Sequence, residues 1–162
     1  MTVYFLRHGI AERQSVGGDR ERKLTEEGKQ ELRRVLAFAK QAQVKPELVL
    51  SSPYARARET ALLAMEELGL EGSPSFADAL VPDSSAVNLW NDVRAQGVDS
   101  LLVVSHEPLL SATVAWVLGT SKEMVYFPPA GMVAIEFGSA GAAPAGMLRW
   151  MITPELVQQV LG

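Results

Sequence analysis

Only two histidines, His8 and His106, and no cysteine occur in the chain. His8 sits between Arg7 and Gly9, directly after the apolar run Val3-Tyr4-Phe5-Leu6. His106 follows Ser105, directly after Leu101-Leu102-Val103-Val104. A third polar cluster, Ser52-Pro53-Tyr54-Ala55-Arg56, follows Glu47-Leu48-Val49-Leu50. Guanidinium groups grip phosphate oxygens bidentately, and free N–H groups at a helix start add to a positive pocket, so phosphate is the favoured ligand. Sulfate or a carboxylate would fit the same charges. A neutral imidazole beside clamped phosphorus has one further use: it can attack, forming a phosphoramidate that water later hydrolyses. Surrounding cations stabilise charge on the transferring oxygens. The same cations are expected to hold that imidazole neutral at pH 7, because nearby like charge lowers its pKa.

Composition narrows the alternatives. Without cysteine there are no disulfides, thiolate metal sites or cysteine nucleophiles, which removes cysteine-dependent phosphatases. Two histidines argue against a histidine-rich metal centre, and neither a metal nor another cofactor is expected. A net charge of −4 argues against a general nucleic-acid binder. Apolar runs are too short to span a bilayer, and Arg7 cuts the first of them off too early for a signal peptide, so no membrane association and a cytoplasmic location are expected. The 162 residues suit one domain, spanning 1–162.

The elements that must position these residues alternate between short apolar runs and helical patterns, the signature of an α/β fold. After the first strand comes a polar loop from about Glu12 to Lys23. Thr25 is a plausible N-cap with Glu26 and Glu27 in the first turn, although Gly28 spoils a capping box. Leu32, Val35, Leu36 and Ala39 recur at i, i+3, i+4 and i+7 and lay one helical stripe on a sheet. Ser52 can cap the second helix with Pro53 at its first position, and Arg56 then falls near its start. Ala61, Ala64, Met65 and Leu68 form that helix's packing stripe, and Gly69 stops it. Ser73 to Asp83 holds a short strand and loop before a helix carrying Val87, Trp90 and Val93. Ser100 to Val104 reads as a buried strand, followed by a helix with Leu110, Val114, Val117 and Leu118 inward and Gly119 at its end. Met132–Phe137 and Met147–Ile152 read as two further strands joined by the Gly/Ala/Pro-rich spacer GSAGAAPAG, a mobile hairpin loop. Thr153-Pro154-Glu155 caps a short C-terminal helix. Both histidines thus fall beyond strand carboxyl ends, where ligands bind in open parallel sheets.

Arg7-His8-Gly9 after the first strand, Leu24-Thr25-Glu26-Glu27-Gly28, Ser52-Pro53-Tyr54-Ala55-Arg56-Ala57 with Thr60, and Ser105-His106 after the fourth strand resemble, as an ordered set, the histidine phosphatase superfamily with its phosphoglycerate mutase-like fold. The short length and the form Ser105-His106-Glu107-Pro108-Leu109-Leu110 look most like its SixA-type phosphohistidine phosphatases. The resemblance implies a three-layer α/β/α fold with a mostly parallel mixed sheet. It implies that His8 is the phosphorylated nucleophile, that Arg7, Arg56 and His106 complete the phosphate pocket, and that His106 is cationic or a hydrogen-bond donor. An acidic proton donor lies after the second helix in larger relatives. Asp78 is the nearest match, with Asp83, Glu12 and Glu107 competing. Larger relatives also carry an Asn shortly after the Arg-His-Gly motif and long insertions over the site. Here Ile10-Ala11-Glu12 follows, and little chain is spare.

An open pocket would admit a phosphorylated side chain projecting from a protein, whereas a small metabolite would find few specificity contacts. The expected partner is therefore a phosphorylated protein such as a histidine-containing phosphotransfer domain. A small-molecule phosphomonoesterase is the alternative, and a non-catalytic phosphate-dependent binding module a third reading. Leaving imidazole departs readily once protonated, so with phosphohistidine a dedicated acid matters less. Arg20, Arg22 and Lys23 read as a solvated loop, Arg58 as a surface residue, and Trp90, Trp116 and Trp150 as core or half-core aromatics.

Overall fold

The computed structural model describes residues 1–161. Six strands form one sheet in the order β3-β2-β4-β1-β5-β6: β1 (Thr2–Arg7), β2 (Leu48–Ser51), β3 (Ser75–Phe76), β4 (Ser100–Ser105), β5 (Met132–Phe137) and β6 (Gly146–Ile152). The first four run parallel, while β5 is antiparallel to β1 and β6 to β5. This is the mixed, mostly parallel sheet that the resemblance implied.

Residues alternate between the two faces of the sheet, and so feed two cores. Leu6, Leu102 and Val104 join Leu32, Val35, Leu36, Ala61, Ala64 and Val157 on one face, beneath α1 (Glu26–Gln41), α2 (Ala55–Leu68) and α5 (Pro154–Leu161). Val3, Phe5, Leu101 and Val103 join Leu89, Trp90, Val93, Leu110 and Val114 on the other, beneath α3 (Ala86–Ala95) and α4 (Leu109–Leu118). The result is three layers, α/β/α. Because α1 follows β1 onto one face and α4 follows β4 onto the other, the chain diverges above the adjacent carboxyl ends of β1 and β4. That is a topological switch point.

The ends of the helices follow local chemistry. Thr25 Oγ1 accepts the Gly28 N–H at 2.9 Å, and Gly69 and Gly119 close α2 and α4 in the left-handed conformation. Gly28 occupies the position where a capping box would want a glutamate because a Cβ there would overlap the Ile10 backbone oxygen. The first turn of α1 thus presses directly on the segment leaving β1.

Several expectations need correction. The second helix begins at Ala55 rather than Pro53, with Tyr54 as its cap residue and no side-chain cap bond. Val87 of α3 is half exposed, and Leu89 takes the core position beside Trp90 and Val93. Trp116 lies on the exposed flank of α4, whereas Trp150 packs on Tyr4 with ring centroids 5.9 Å apart. Leu118 is only partly buried. The β5–β6 connection is tied down at one point, where Trp90 Nε1 donates to Gly141 O at 2.8 Å. Among the described residues no helix is long and apolar enough to cross a membrane.

Candidate active site

Strand register brings the polar residues together. Arg7 pairs with Ser105 across β1 and β4, so His8 and His106 leave the sheet side by side, and the His8 N–H donates to Ser105 O at 3.1 Å. Their ring centroids are 5.0 Å apart. On the other side of β4, the Ser52 N–H donates to Val104 O at 3.0 Å, which sets the Ser52–Arg56 segment at the same level. Three strand ends and the start of α2 therefore meet at one place. His8, Ser52, Arg56, Thr60 and His106 are all buried there.

The hydrogen bonds of His8 define its tautomer. Nδ1 lies 2.7 Å from Gly9 O, a pure acceptor, so Nδ1 carries the proton. Nε2 is left with its lone pair, facing Arg56, whose Nε donates to it at 3.3 Å. The peptide that holds His8 is itself held: the Gly9 N–H donates to Thr60 Oγ1 at 3.2 Å, and Thr60 donates to Arg56 O at 2.7 Å. Gly9 suits this close packing, because a Cβ would lie 3.1 Å from Gly28 O, tighter than ordinary contact.

Burial, more than charge, keeps His8 neutral. Its pKa is pushed down from 6.5 to about 3, first by desolvation and only then by the Arg56, Arg7 and Arg22 charges, with the Gly9 bond opposing. His106 is pushed down to about 2, again by burial first and then by His8 and the arginines. This corrects the cationic reading of His106 in the free pocket and leaves its donor reading open. His106 Nε2 lies 2.7 Å from Ser52 Oγ, which also accepts the Tyr54 N–H at 3.2 Å. The serine expected to cap the second helix is thus taken up by the histidine.

Two buried nitrogens in this cluster, His106 Nδ1 and Arg7 Nε, have no partner among the described residues. Arg7 is otherwise fixed by Nη1, which donates to Phe127 O at 2.9 Å. Buried polar nitrogens without partners are costly, and a ligand that reached them would offset that cost.

The polar loop contributes what the sequence reading missed. Asp19, in a short 3₁₀ turn (Asp19–Glu21), accepts Arg56 Nη1 at its backbone oxygen (2.8 Å) and Nη2 at Oδ2 (3.3 Å), while Arg22 Nε donates to Oδ1 at 2.8 Å. Tyr54 lies beside the Arg56 guanidinium, 5.1 Å from ring centroid to carbon, and edge-on to His106 at 5.2 Å. The only advance signal for Asp19 was the Asp-x-x-Arg spacing inside a charged loop.

The candidate acids behave differently from one another. Asp78 lies just beyond β3, at the same end of the sheet, but it is exposed and lines a shallow depression with Ser84, Asn88 and Asp92. It makes no hydrogen bond to the histidine cluster. Glu107 caps α4 through the Ser111 N–H at 2.8 Å and the Ser111 hydroxyl. Glu12 accepts the Lys23 N–H at 3.3 Å. Arg58 is exposed, as expected. Among the described residues no group of three or more His, Cys, Asp or Glu could hold a metal ion.

Residues 3–78 match the family model of the histidine phosphatase superfamily (branch 1). The phosphohistidine phosphatase SixA of Escherichia coli (strain K12) is 30% identical over 158 residues, covering 95% of this chain and 94% of that protein. A SixA homolog from Haemophilus influenzae is 29% identical over 143 residues, covering 79% of this chain and 84% of the relative. The structure of the protein histidine phosphatase SixA complexed with tungstate superposes with a TM-score of 0.86 at 28% identity, covering 95% of this chain and 97% of that one.

Proposed function

Because this chain belongs to the histidine phosphatase superfamily, we propose that it removes phosphate from a phosphohistidine side chain of a phosphotransfer protein, with His8 as nucleophile. The observation that carries the reading is the geometry of His8: Nδ1 bound to Gly9 O, and Nε2 bare of its own proton and facing Arg56 at 3.3 Å. In this reading the Nε2 lone pair, released from the Arg56 Nε–H, attacks phosphorus as the P–N bond to the substrate imidazole breaks. The leaving imidazole takes a proton from solvent. Water then attacks phospho-His8, releasing inorganic phosphate and restoring neutral His8.

Arg7 and Arg56 clamp the phosphoryl oxygens, and His106 donates through Nδ1, the atom with no partner in the chain. Ser52 donates its hydroxyl proton to His106 Nε2 at 2.7 Å, which leaves the ring proton of the neutral imidazole on Nδ1. Phosphohistidine also suits the acids nearby. Asp19 is held ionised by Arg22 and Arg56, Glu107 is committed to α4, and Asp78 faces solvent, so a substrate whose leaving group needs little help is favoured. The similarity to the Escherichia coli phosphohistidine phosphatase supports the same choice.

The test is direct. Mixing the protein with a phosphorylated phosphotransfer domain should give free phosphate and a transient, acid-labile phosphoenzyme, located by intact mass and NMR at His8. His8→Ala should abolish both. Label that persists on another residue, or turnover that survives, would refute the assignment.

A further inference from the structure

The far edge of Arg56 is held by a chain of contacts that runs out through the polar loop. Arg56 is 4% exposed and its Nε already faces His8, yet both terminal nitrogens are engaged by Asp19, Nη1 at the backbone oxygen and Nη2 at the carboxylate. Asp19 is in turn bound by Arg22 Nε, and Arg22 Nη1 donates to Glu12 O at 2.7 Å. The loop that carries them is closed at its base, where Ala11 bridges Leu24 and the Glu12 N–H donates to Lys23 O at 2.8 Å. The Leu24 N–H then reaches Glu59 of α2 at 3.0 Å.

A carboxylate at the rim of a pocket for a dianion raises the question of sign. Through its field alone Asp19 repels phosphate and weakens binding. Through geometry it does the opposite, because a guanidinium fixed on one edge presents its remaining N–H groups in one orientation and loses less entropy when phosphate arrives. An arginine has five N–H donors, and the three contacts to His8 and Asp19 leave two for a ligand.

We propose that Asp19, braced by Arg22, is a positioning residue that holds Arg56 in the orientation from which it grips phosphate beside His8. This rests on the phosphate-pocket reading above. It assigns the loop a task in binding, and it makes the sign of one substitution decisive.

The experiment measures orthovanadate affinity by calorimetry in the full chain, for Asp19→Asn, Arg56→Ala and the double variant. Asn keeps the size of Asp19 and removes the charge. Positioning predicts that Asp19→Asn weakens vanadate binding about fivefold, the scale of a partly exposed ion pair. In the Arg56→Ala background the same substitution should then have no further effect, since the two act as one unit. The Arg56 Nε–H resonance should also lose its protection from exchange in Asp19→Asn. Vanadate bound as tightly or more tightly by Asp19→Asn would overturn the proposal, as would an undiminished effect in the absence of Arg56. If Arg56→Ala itself leaves vanadate affinity unchanged, the pocket reading fails; if it weakens binding while Asp19→Asn does not, only the positioning role falls.

Discussion

The two ends of the sheet make an instructive contrast. At the carboxyl ends of β1, β2 and β4, side chains that water normally solvates are buried: His106 is 1% exposed, Arg56 4% and His8 8%. At the opposite end, below β2 and the close of α2, lies a hollow of about 590 Å³ lined by Lys45, Glu47, Met65, Leu70 and Glu71. Its charged residues are exposed. Glu47 is spent on structure, accepting the Asp99 and Ser100 N–H groups at 3.1 Å where β4 begins. Room alone therefore does not mark a site. What marks it is cations and imidazoles held out of water with donors left over, a cost the fold bears only where a ligand returns it.

The contrast can be broken most forcefully at Arg56. Arg56→Ala removes a buried charge-assisted donor, so orthovanadate affinity should fall by about 1.5 to 3 kcal/mol, roughly 10- to 150-fold. Calorimetry reads this directly, and an unchanged constant would leave the pocket end no more chemical than the other.

A second way to break the contrast is the pH response of the buried histidines. In the unfolded chain a histidine titrates near 6.5, whereas folding depresses His8 to about 3 and His106 to about 2. The folded state therefore resists protonation. Stability should be complete above about pH 6.5 and fall as pH drops toward 3, each histidine adding about 1.4 kcal/mol per pH unit to the slope. Urea unfolding at pH 7, 5 and 4 should show a shallower slope in His8→Asn than in the native sequence. NMR should find neither ring titrating between pH 5 and 8, and a midpoint near 6.5 for either would contradict the burial account.

Legibility in the sequence divided along the same line. Arg7, His8, Arg56 and His106 could be placed because each directly follows an apolar run or a turn, and strand ends are legible from composition. The stripe Leu32, Val35, Leu36 and Ala39 is wholly buried for the same reason: one helical period meets one sheet face. Where tertiary contacts reassign a side chain, local rules failed. Ser52 looks like a cap, yet His106 and the Tyr54 N–H claim its hydroxyl, and α2 starts later. Gly28 looks like a defective capping box until the Ile10 backbone is seen against it. Asp19 carries no periodic signal, because its partners lie 3 and 37 positions away.

A smaller effect tests how far the pocket's order depends on groups that never touch substrate. Thr60 is fully buried and bridges Gly9 N–H to Arg56 O. Thr60→Val keeps the shape but leaves the Gly9 N–H without its acceptor, at a cost of about 1 to 3 kcal/mol of stability. Turnover should fall more than KM rises, since the Gly9 peptide orients His8. A rise in KM alone would assign Thr60 to binding instead.

The smallest expected effect belongs to the other end, and it is the one that makes the contrast falsifiable. Lys45→Ala and Glu71→Gln alter exposed residues of the 590 Å³ hollow. Exposed positions away from caps and cores shift stability by within about 0.5 kcal/mol. Both variants should keep wild-type phosphate release and vanadate affinity. A loss of activity in either would mean that the hollow takes part in recognising the substrate, because both side chains lie at the opposite end of the sheet from His8. Unchanged kinetics beside a large loss at Arg56 would locate the function at the end where burial, not volume, is greatest.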